Sequence, residues 1–327
     1  MALVGAGRMA QAHAATAAGI AQVDVVAVYD ALREPAEHLA ERIGARVAFS
    51  LDELLGASDV EALLITTPTP THADVICSGA AAGKAMFVEK PLADTLAAAD
   101  RAVDAVDAAS VACQVGFQRR YDPAYIEAKR RIESGEIGRI EGFRGVGRDP
   151  QPPALEFLLT SGGLFVDMGI HDLDSARFLV GEVATINAIG AATDPRLAEH
   201  GLFDTAVATM RFVDGALGTL EVGLRTAYGY DIRAEVLGQH GRIHIERDIQ
   251  HHMLVYTSGG VTHDRPQSFT ERFAEAYAAE IRSFVHAVRH DLPVTPDAHD
   301  ARESLRLALA AQQALVTGRE VVLVPTA

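Results

Sequence analysis

The chain has 327 residues, 49% hydrophobic and 22% charged, which is enough for two domains or one large one and far from a disordered composition. Acidic residues outnumber basic ones 44 to 29, a formal charge of -15 that leaves no basic face for a phosphate backbone and excludes nucleic acid as a partner. No charged leader with an apolar core opens the sequence and no apolar run reaches membrane-spanning length, so a soluble, cytoplasmic protein without a membrane partner is expected.

The first element is a short apolar strand, Ala2-Leu3-Val4, which runs into Gly5-Ala6-Gly7-Arg8-Met9-Ala10 and an Ala-rich helix toward Gly19. This is the GxGxxG/A pattern between strand and helix. Gly5 allows the tight turn, Gly7 lets the backbone approach a pyrophosphate, and Ala10 lets the helix pack closely on the strand. The strand starts almost at Met1 and is short for a central strand, which suggests that a few residues precede it. The β-branched run Val23–Tyr29 ends at Asp30, about 20 residues past the loop, where a carboxylate accepts from ribose hydroxyls and repels a 2′-phosphate. NAD is therefore the expected cofactor. Arg33, three residues on, weakens that preference and leaves NADP as the second candidate.

Helical and strand patterns then alternate. Helices are expected over Glu34–Ile43, Thr71–Ala82 and Thr95–Ala109, with a further short segment at Leu51–Leu55. Strands are expected at Val47–Phe49, Ala62–Ile65, Ala85–Val88 and Val111–Val115. Such alternation builds a doubly wound parallel sheet with ligands at the carboxyl ends of its strands. Three loops fall at those ends: Thr66-Thr67-Pro68-Thr69-Pro70-Thr71-His72, Glu89-Lys90-Pro91 and Gly116-Phe117-Gln118-Arg119-Arg120. A lysine at that position can hydrogen-bond a substrate hydroxyl and lower its pKa. Cys77 and Cys113 have neither CxxC nor metal-ligand spacing and are expected as buried free thiols.

The second half reads as a helix over Pro123–Glu133, followed by strands at Ile140–Val146, Thr185–Ala192, Thr205–Phe212, Leu217–Leu224, Ile232–Leu237 and Arg242–Glu246. Helices over Thr270–Arg289 and Ala298–Thr317 follow. Turn signals such as Val213-Asp214-Gly215 point to antiparallel pairing. Within it, Ser161-Gly162-Gly163 opens an apolar stretch that carries Asp167 and His171. Four residues apart on a helix they share a face, and an imidazole oriented by a carboxylate suits a general base. His251, His252 and His263 lack ligand spacing and read as surface histidines, and Asp172 and Asp174 point to different helix faces, so no metal is expected.

The GAGRMA loop, Thr67-Pro68-Thr69 with His72, Glu89-Lys90-Pro91, and Gly163 through Asp167 to His171 occur in one order over nearly the whole chain. Together they resemble the glucose-fructose oxidoreductase and inositol dehydrogenase (Gfo/Idh/MocA) family. Gly116 through Pro123, Arg148-Asp149-Pro150, Ser161–Phe178 and Tyr228-Gly229-Tyr230-Asp231 look most like its inositol 2-dehydrogenases; Gln118 and Asp149 depart from residues common there. The resemblance implies an α/β fold class: an N-terminal Rossmann dinucleotide-binding domain over 1–118, then an α+β domain over 119–327 with a large, mainly antiparallel open sheet. The helix at about 298–317 would pack back on the first domain, and the sheet would join a homo-oligomer, a dimer or tetramer.

The same resemblance implies NAD-dependent oxidation of a cyclitol hydroxyl. His171 would be the base, Asp167 would orient it, and Lys90 would polarise the hydroxyl. It implies cofactor contacts from Gly5, Gly7, Arg8, Met9, Asp30, Arg33, Thr67, Pro68, Thr69, His72, Glu89 and Lys90. Gln118, Asp149 and Tyr230 would join the catalytic three at the substrate. Arg119 and Arg120 would contact a ligand or form ion pairs. A dehydrogenase of a sugar or aminocyclitol is the alternative. A non-catalytic NAD-binding regulator ranks lower, because such a protein would be expected to lack Lys90, Asp167 or His171.

Overall fold

The computed structural model describes residues 1–246, 249–251 and 253–323, which form two compact units: Met1–Tyr121 with Glu275–Leu305, and Asp122–Ala274 with the chain from Arg306.

The first unit alternates β1 (Ala2–Val4), α1 (Arg8–Ala17), β2 (Ala27–Tyr29), α2 (Arg33–Ile43), β3 (Arg46–Val47), α3 (Leu51–Gly56), β4 (Ala62–Ile65), α4 (His72–Ala81), β5 (Ala85–Glu89), α5 (Leu96–Ala109) and β6 (Cys113–Gly116). All pairings are parallel, in the order β3-β2-β1-β4-β5-β6, so the strand order reverses between β1 and β4. Strands such as Ala62-Leu63-Leu64-Ile65 are buried throughout, as a sheet covered on both faces requires. Ser50 and Thr95 cap α3 and α5 by accepting the Glu53 and Ala98 N–H, and Gly44 ends α2 at φ +72°.

β2 is shorter than its apolar run. Val23 N–H bonds the Ile20 carbonyl in a turn, and Val23 packs with Ala17, Ile20 and Ile281 instead of joining the sheet. The main core gathers Leu3, Ala6, Ala10, Val28, Leu64, Phe87 and Phe284. Phe284 and Ile281 come from the C-terminal part of the chain. That packing groups Glu275–Leu305 with the first unit, while the resemblance places all of 119–327 in the second domain. Cys113 is buried, which pushes its thiol up to about 12; Cys77 is only half-buried, against expectation, because it lies on the flank of α4.

The second unit holds α6 (Pro123–Glu133), β7 (Ile140–Arg148), α7 (Leu155–Leu158), α8 (Ile170–Leu179), β8 (Val183–Ala191), α9 (Pro195–Ala198), β9 (Thr205–Phe212), β10 (Leu217–Gly223), β11 (Asp231–Gly238), β12 (Gly241–Ile245), the hairpin β13 (Val255–Thr257) and β14 (Gly260–Thr262), and α10 (Phe269–Arg272). Next along the chain come α11 (Ala274–Arg289), α12 (Ala298–Thr317) and β15 (Val321–Val322). The seven-stranded sheet runs β12-β11-β7-β10-β9-β8-β15, antiparallel except for β7 beside β10. Alternation along β9 buries Ala206, Ala208, Met210 and Phe212 and leaves Val207, Thr209 and Arg211 outside, so one face is packed and the other open. α8 lies against β7 and β10. The helix expected over 270–289 breaks at Phe273 between α10 and α11. Arg272 there is buried and donates to Asp122 at 2.7 Å, while Asp122 also caps α6.

Candidate active site

The loop after β1 is shaped by its glycines. Gly5 takes φ +101°, and a Cβ there would lie 2.8 Å from the Thr66 carbonyl carbon; around Gly7 a Cβ would meet nothing within 4 Å. Gly7 is the N-cap of α1, no side chain caps that helix, and its first turn, which begins with Arg8 and Met9, carries no acid. An uncapped helix N-terminus without a first-turn acid, opening on clear space at a glycine, is what a pyrophosphate needs, so the residues present fit a dinucleotide. Asp30 ends the second strand and braces the loop: Oδ2 accepts from Ala6 N–H at 2.7 Å and Oδ1 from Leu32 N–H at 2.8 Å. Arg33 is exposed, bonded to Glu37 at 2.5 Å and stacked 5.0 Å from the Phe49 ring.

The ends of β4 and β5 are tied together by His72. Its ring is 1% exposed, with Nδ1 2.8 Å from the Pro91 carbonyl and Nε2 2.9 Å from the Thr67 carbonyl. Two carbonyls favour the imidazolium, but burial outweighs them and lowers its pKa. With both nitrogens engaged and the ring enclosed, His72 clamps the two loops. Thr67, Pro68 and Thr69 form the other side of the clamp, where Thr71 Oγ1 lies 2.8 Å from both Thr67 Oγ1 and the Pro68 carbonyl.

Glu89 turns inward. Its Oε1 is 2.5 Å from His13 Nε2, with side-chain exposures of 9% and 0%, and its Oε2 accepts the Lys90 N–H at 3.2 Å. Through these two contacts Glu89 supports the turn that carries Lys90. His13 sits on the buried stripe Ala10, His13, Ala14, Ala17 of α1, edge-on to Phe87 and Tyr277. Near Glu89 lies Glu280 of α11, wholly buried, neither carboxyl oxygen with a partner; desolvation and then Glu89 raise its pKa well above the usual value. At the end of β6, Gln118 and Arg119 are buried in a 3-10 turn, and Arg120 pairs with Asp300.

In the second unit Asp167 lies in a π-turn, Phe165–Gly169, that leads into α8, where His171 is the second residue. The expected segment is thus helical, with one wider turn. Gly169 permits it: a Cβ there would be 2.8 Å from Phe165 Cδ1. A turn one residue wider still brings the chain back to the same side four residues later, so the shared face of Asp167 and His171 survives. Asp172, next to His171, buries its carboxylate over Gly147 of β7, where a Cβ would be 2.3 Å from Oδ2.

A cavity beside Asp167 is walled by Ser161, Gly163, Leu202, Phe203, Leu224 and Gln312, among others. Asp149 and Tyr230 are not among its walls. Asp149 N–H bonds the Gly223 carbonyl at 3.0 Å, and Tyr230 is buried edge-on to Phe273 at 6.4 Å. Tyr228 donates to Asp231 at 2.8 Å and borders a separate open groove with His251, His263 and Arg265. Among the described residues no three His, Cys, Asp or Glu side chains gather as metal ligands would; His252 lies outside the described residues. No described helix is long and apolar enough to cross a membrane.

Sequence reasoning missed His13, Glu280 and Gln312. A polar residue on the apolar stripe of α1 was a signal for His13; nothing in the local pattern of α12 marks Gln312.

Residues 1–117 match the oxidoreductase family with an NAD-binding Rossmann fold, and residues 125–244 match the GFO/IDH/MocA C-terminal domain. The chain is 38% identical over 328 residues to scyllo-inositol 2-dehydrogenase (NAD(+)) of Bacillus subtilis (strain 168), covering 98% of this chain and 95% of that protein. Among solved structures it resembles a myo-inositol dehydrogenase from Corynebacterium glutamicum ATCC 13032, with TM-score 0.93, 31% identity and coverage of 99% and 98%. It also resembles scyllo-inositol dehydrogenase from Lactobacillus casei with bound NAD(H) and scyllo-inositol, with TM-score 0.93, 30% identity and coverage of 98% for each chain.

Proposed function

Because the chain belongs to the GFO/IDH/MocA oxidoreductase family, whose first domain is an NAD-binding Rossmann fold, we propose that it oxidises a ring hydroxyl of a cyclitol, myo-inositol or a stereoisomer, to the ketone. The observation that carries this reading is the near-full-length similarity to an NAD(+)-dependent scyllo-inositol 2-dehydrogenase, in a chain whose motifs carry Lys90, Asp167 and His171.

NAD⁺, when bound, accepts the hydride that leaves the carbinol carbon. The chain's own residues then have to manage the proton and the charge. His171 takes the hydroxyl proton, Asp167 orients the imidazole and stabilises it once protonated, and the Lys90 ammonium stabilises the alkoxide-like oxygen. Gly5 and Gly7 shape the pyrophosphate turn. Asp30 favours the unphosphorylated ribose of NAD over NADP, since a 2′-phosphate would face its charge. His72, Glu89 and His13 hold the Lys90 turn. Gln118 and Asp149 are kept as weaker candidates for contact with the polyol.

The same reading takes the protein as a cytoplasmic homo-oligomer, a dimer or tetramer. Support comes from the open face of the sheet, where Ile189 opposes Val207 and both Leu217 and Leu237 oppose Gly142, all four apolar side chains being exposed. Sedimentation of wild type against Val207→Lys checks it; a monomeric wild type would refute it.

The activity is tested with myo-, scyllo- and chiro-inositol, glucose and an amino-inositol, each with NAD⁺ and NADP⁺, following NADH or NADPH absorbance. Lys90→Met and His171→Ala should each lower kcat by about 10²–10⁴-fold while NADH binding stays nearly intact. Wild-type turnover in either variant would remove that residue from the mechanism. Turnover confined to glucose or the amino-inositol would move the substrate class.

A further inference from the structure

The backbone that carries Asp167 is held from outside its own segment. Gly162 and Gly163 take φ of +82° and +99°, and the Gly163 carbonyl accepts from both Val166 N–H at 3.2 Å and Asp167 N–H at 3.0 Å. The π-turn Phe165–Gly169 begins there without a side-chain cap of its own. A helical start leaves its first amides without intrasegment partners, and a π-turn is a rare conformation that neighbouring structure has to hold in place.

The Phe165 N–H finds its acceptor in Gln312 Oε1, at 3.2 Å, 147 residues along the chain on α12. The same side-chain amide lies against Gly163. A Cβ at that glycine would come within 2.4 Å of Gln312 Cδ and 2.6 Å of both Oε1 and Nε2. Gly163 is thus required for its φ and for the space the amide occupies. Gln312, Gly163 and Asp167 all wall one cavity.

We propose that Gln312 is a positioning residue for the reaction proposed above: by accepting the Phe165 N–H and seating on Gly163 it fixes the turn that sets the Asp167 carboxylate. It need not touch the substrate to act. Without the acceptor, the first amide of the turn would seek another partner, and the turn could relax toward an ordinary α-helical one. That would rotate Asp167 relative to His171, and a displacement of about 1 Å in such a group can cost on the order of 10²-fold in rate.

Two substitutions separate this role from general packing. Gln312→Met keeps the length and volume but removes the acceptor. Gln312→Glu restores an oxygen facing Phe165 N–H. The reading expects Gln312→Met to lower kcat about 10- to 100-fold with KM for the polyol changed less than kcat. The NADH dissociation constant should stay within about twofold, since no part of the phosphate loop is disturbed. Gln312→Glu should recover most of the lost kcat. Hydrogen–deuterium exchange of the protein without ligand supplies a readout independent of any substrate. Peptides covering 161–170 should exchange faster in Gln312→Met, with the rest of the chain unchanged.

The proposal is overturned if Gln312→Met keeps kcat within about twofold of wild type, if the 161–170 peptides exchange as in wild type, or if Gln312→Glu is as slow as Gln312→Met. Should wild type oxidise no cyclitol while the exchange difference is present, the functional reading fails and the Gln312 latch stands. An active wild type with normal exchange in Gln312→Met fails the latch alone.

Discussion

Glu280→Gln tests whether the interior of the first unit holds a neutral carboxylic acid. Glu280 is 0% exposed, its carboxyl oxygens have no partner, and Glu89 lies close enough to repel it. Desolvation first, and Glu89 second, raise its pKa well above the usual 4.5, so the folded chain keeps a proton that the unfolded chain releases. Below about pH 4.5 both states are protonated and the group has no effect on stability. Above it the unfolded state binds fewer protons, so stability falls as pH rises, by up to about 1.4 kcal/mol per pH unit, until the pH reaches the raised value. Gln is nearly isosteric and does not titrate. The variant should therefore resemble wild type near pH 4, to within about 1 kcal/mol for exchanging one buried polar group for another, and gain on it as the pH rises above that until the raised value is reached. Urea denaturation at several pH values reads this by far-UV circular dichroism, since the chain has no tryptophan. A stability difference that does not change between about pH 4 and pH 8 would refute a neutral buried Glu280.

Two further outcomes follow from the same region. His13→Phe should keep the edge contacts to Phe87 and Tyr277 but strand the Glu89 carboxylate, a loss of about 3–5 kcal/mol in denaturation, and adding Glu89→Gln should recover much of it. A loss under about 1 kcal/mol would mean the pair contributes little. Gly5→Ala places a Cβ 2.8 Å from the Thr66 carbonyl carbon at φ +101°, which should cost about 1–3 kcal/mol of strain and weaken NADH binding at least about tenfold. Unchanged binding in a fluorescence titration would show that the turn tolerates a side chain.

The parallel sheet was legible because its strands are apolar throughout and its helices are separated from them by cap and turn residues; Ala62–Ile65 and the Thr95-capped helix fall where the pattern puts them. Val23 misled because an apolar residue in a core-filling turn looks like one in a strand. Phe273 misled because a helix break that lets Arg272 reach Asp122 depends on a partner 150 residues away. The same limit applies at the candidate site. Lys90, Asp167 and His171 were visible through their motifs, whereas the roles of His72, Glu89 and Gln312 depend on contacts made far along the chain. Motif resemblance marked His72 and Glu89 as cofactor contacts; their burial and the hydrogen bonds that brace the loops around Lys90 were not legible in it.

The glycines under α8 affect how inactivating variants would be distributed. Gly147 lies in a strand, yet a methyl group there would collide with the Asp172 carboxylate next to His171, and one at Gly169 would strike the Phe165 ring beneath Asp167. In a library selected for activity, both positions would score as intolerant although neither carries a functional group. The map of inactivating changes would then extend along β7 well beyond any residue that handles a proton, and an active site drawn from such a map alone would be too large.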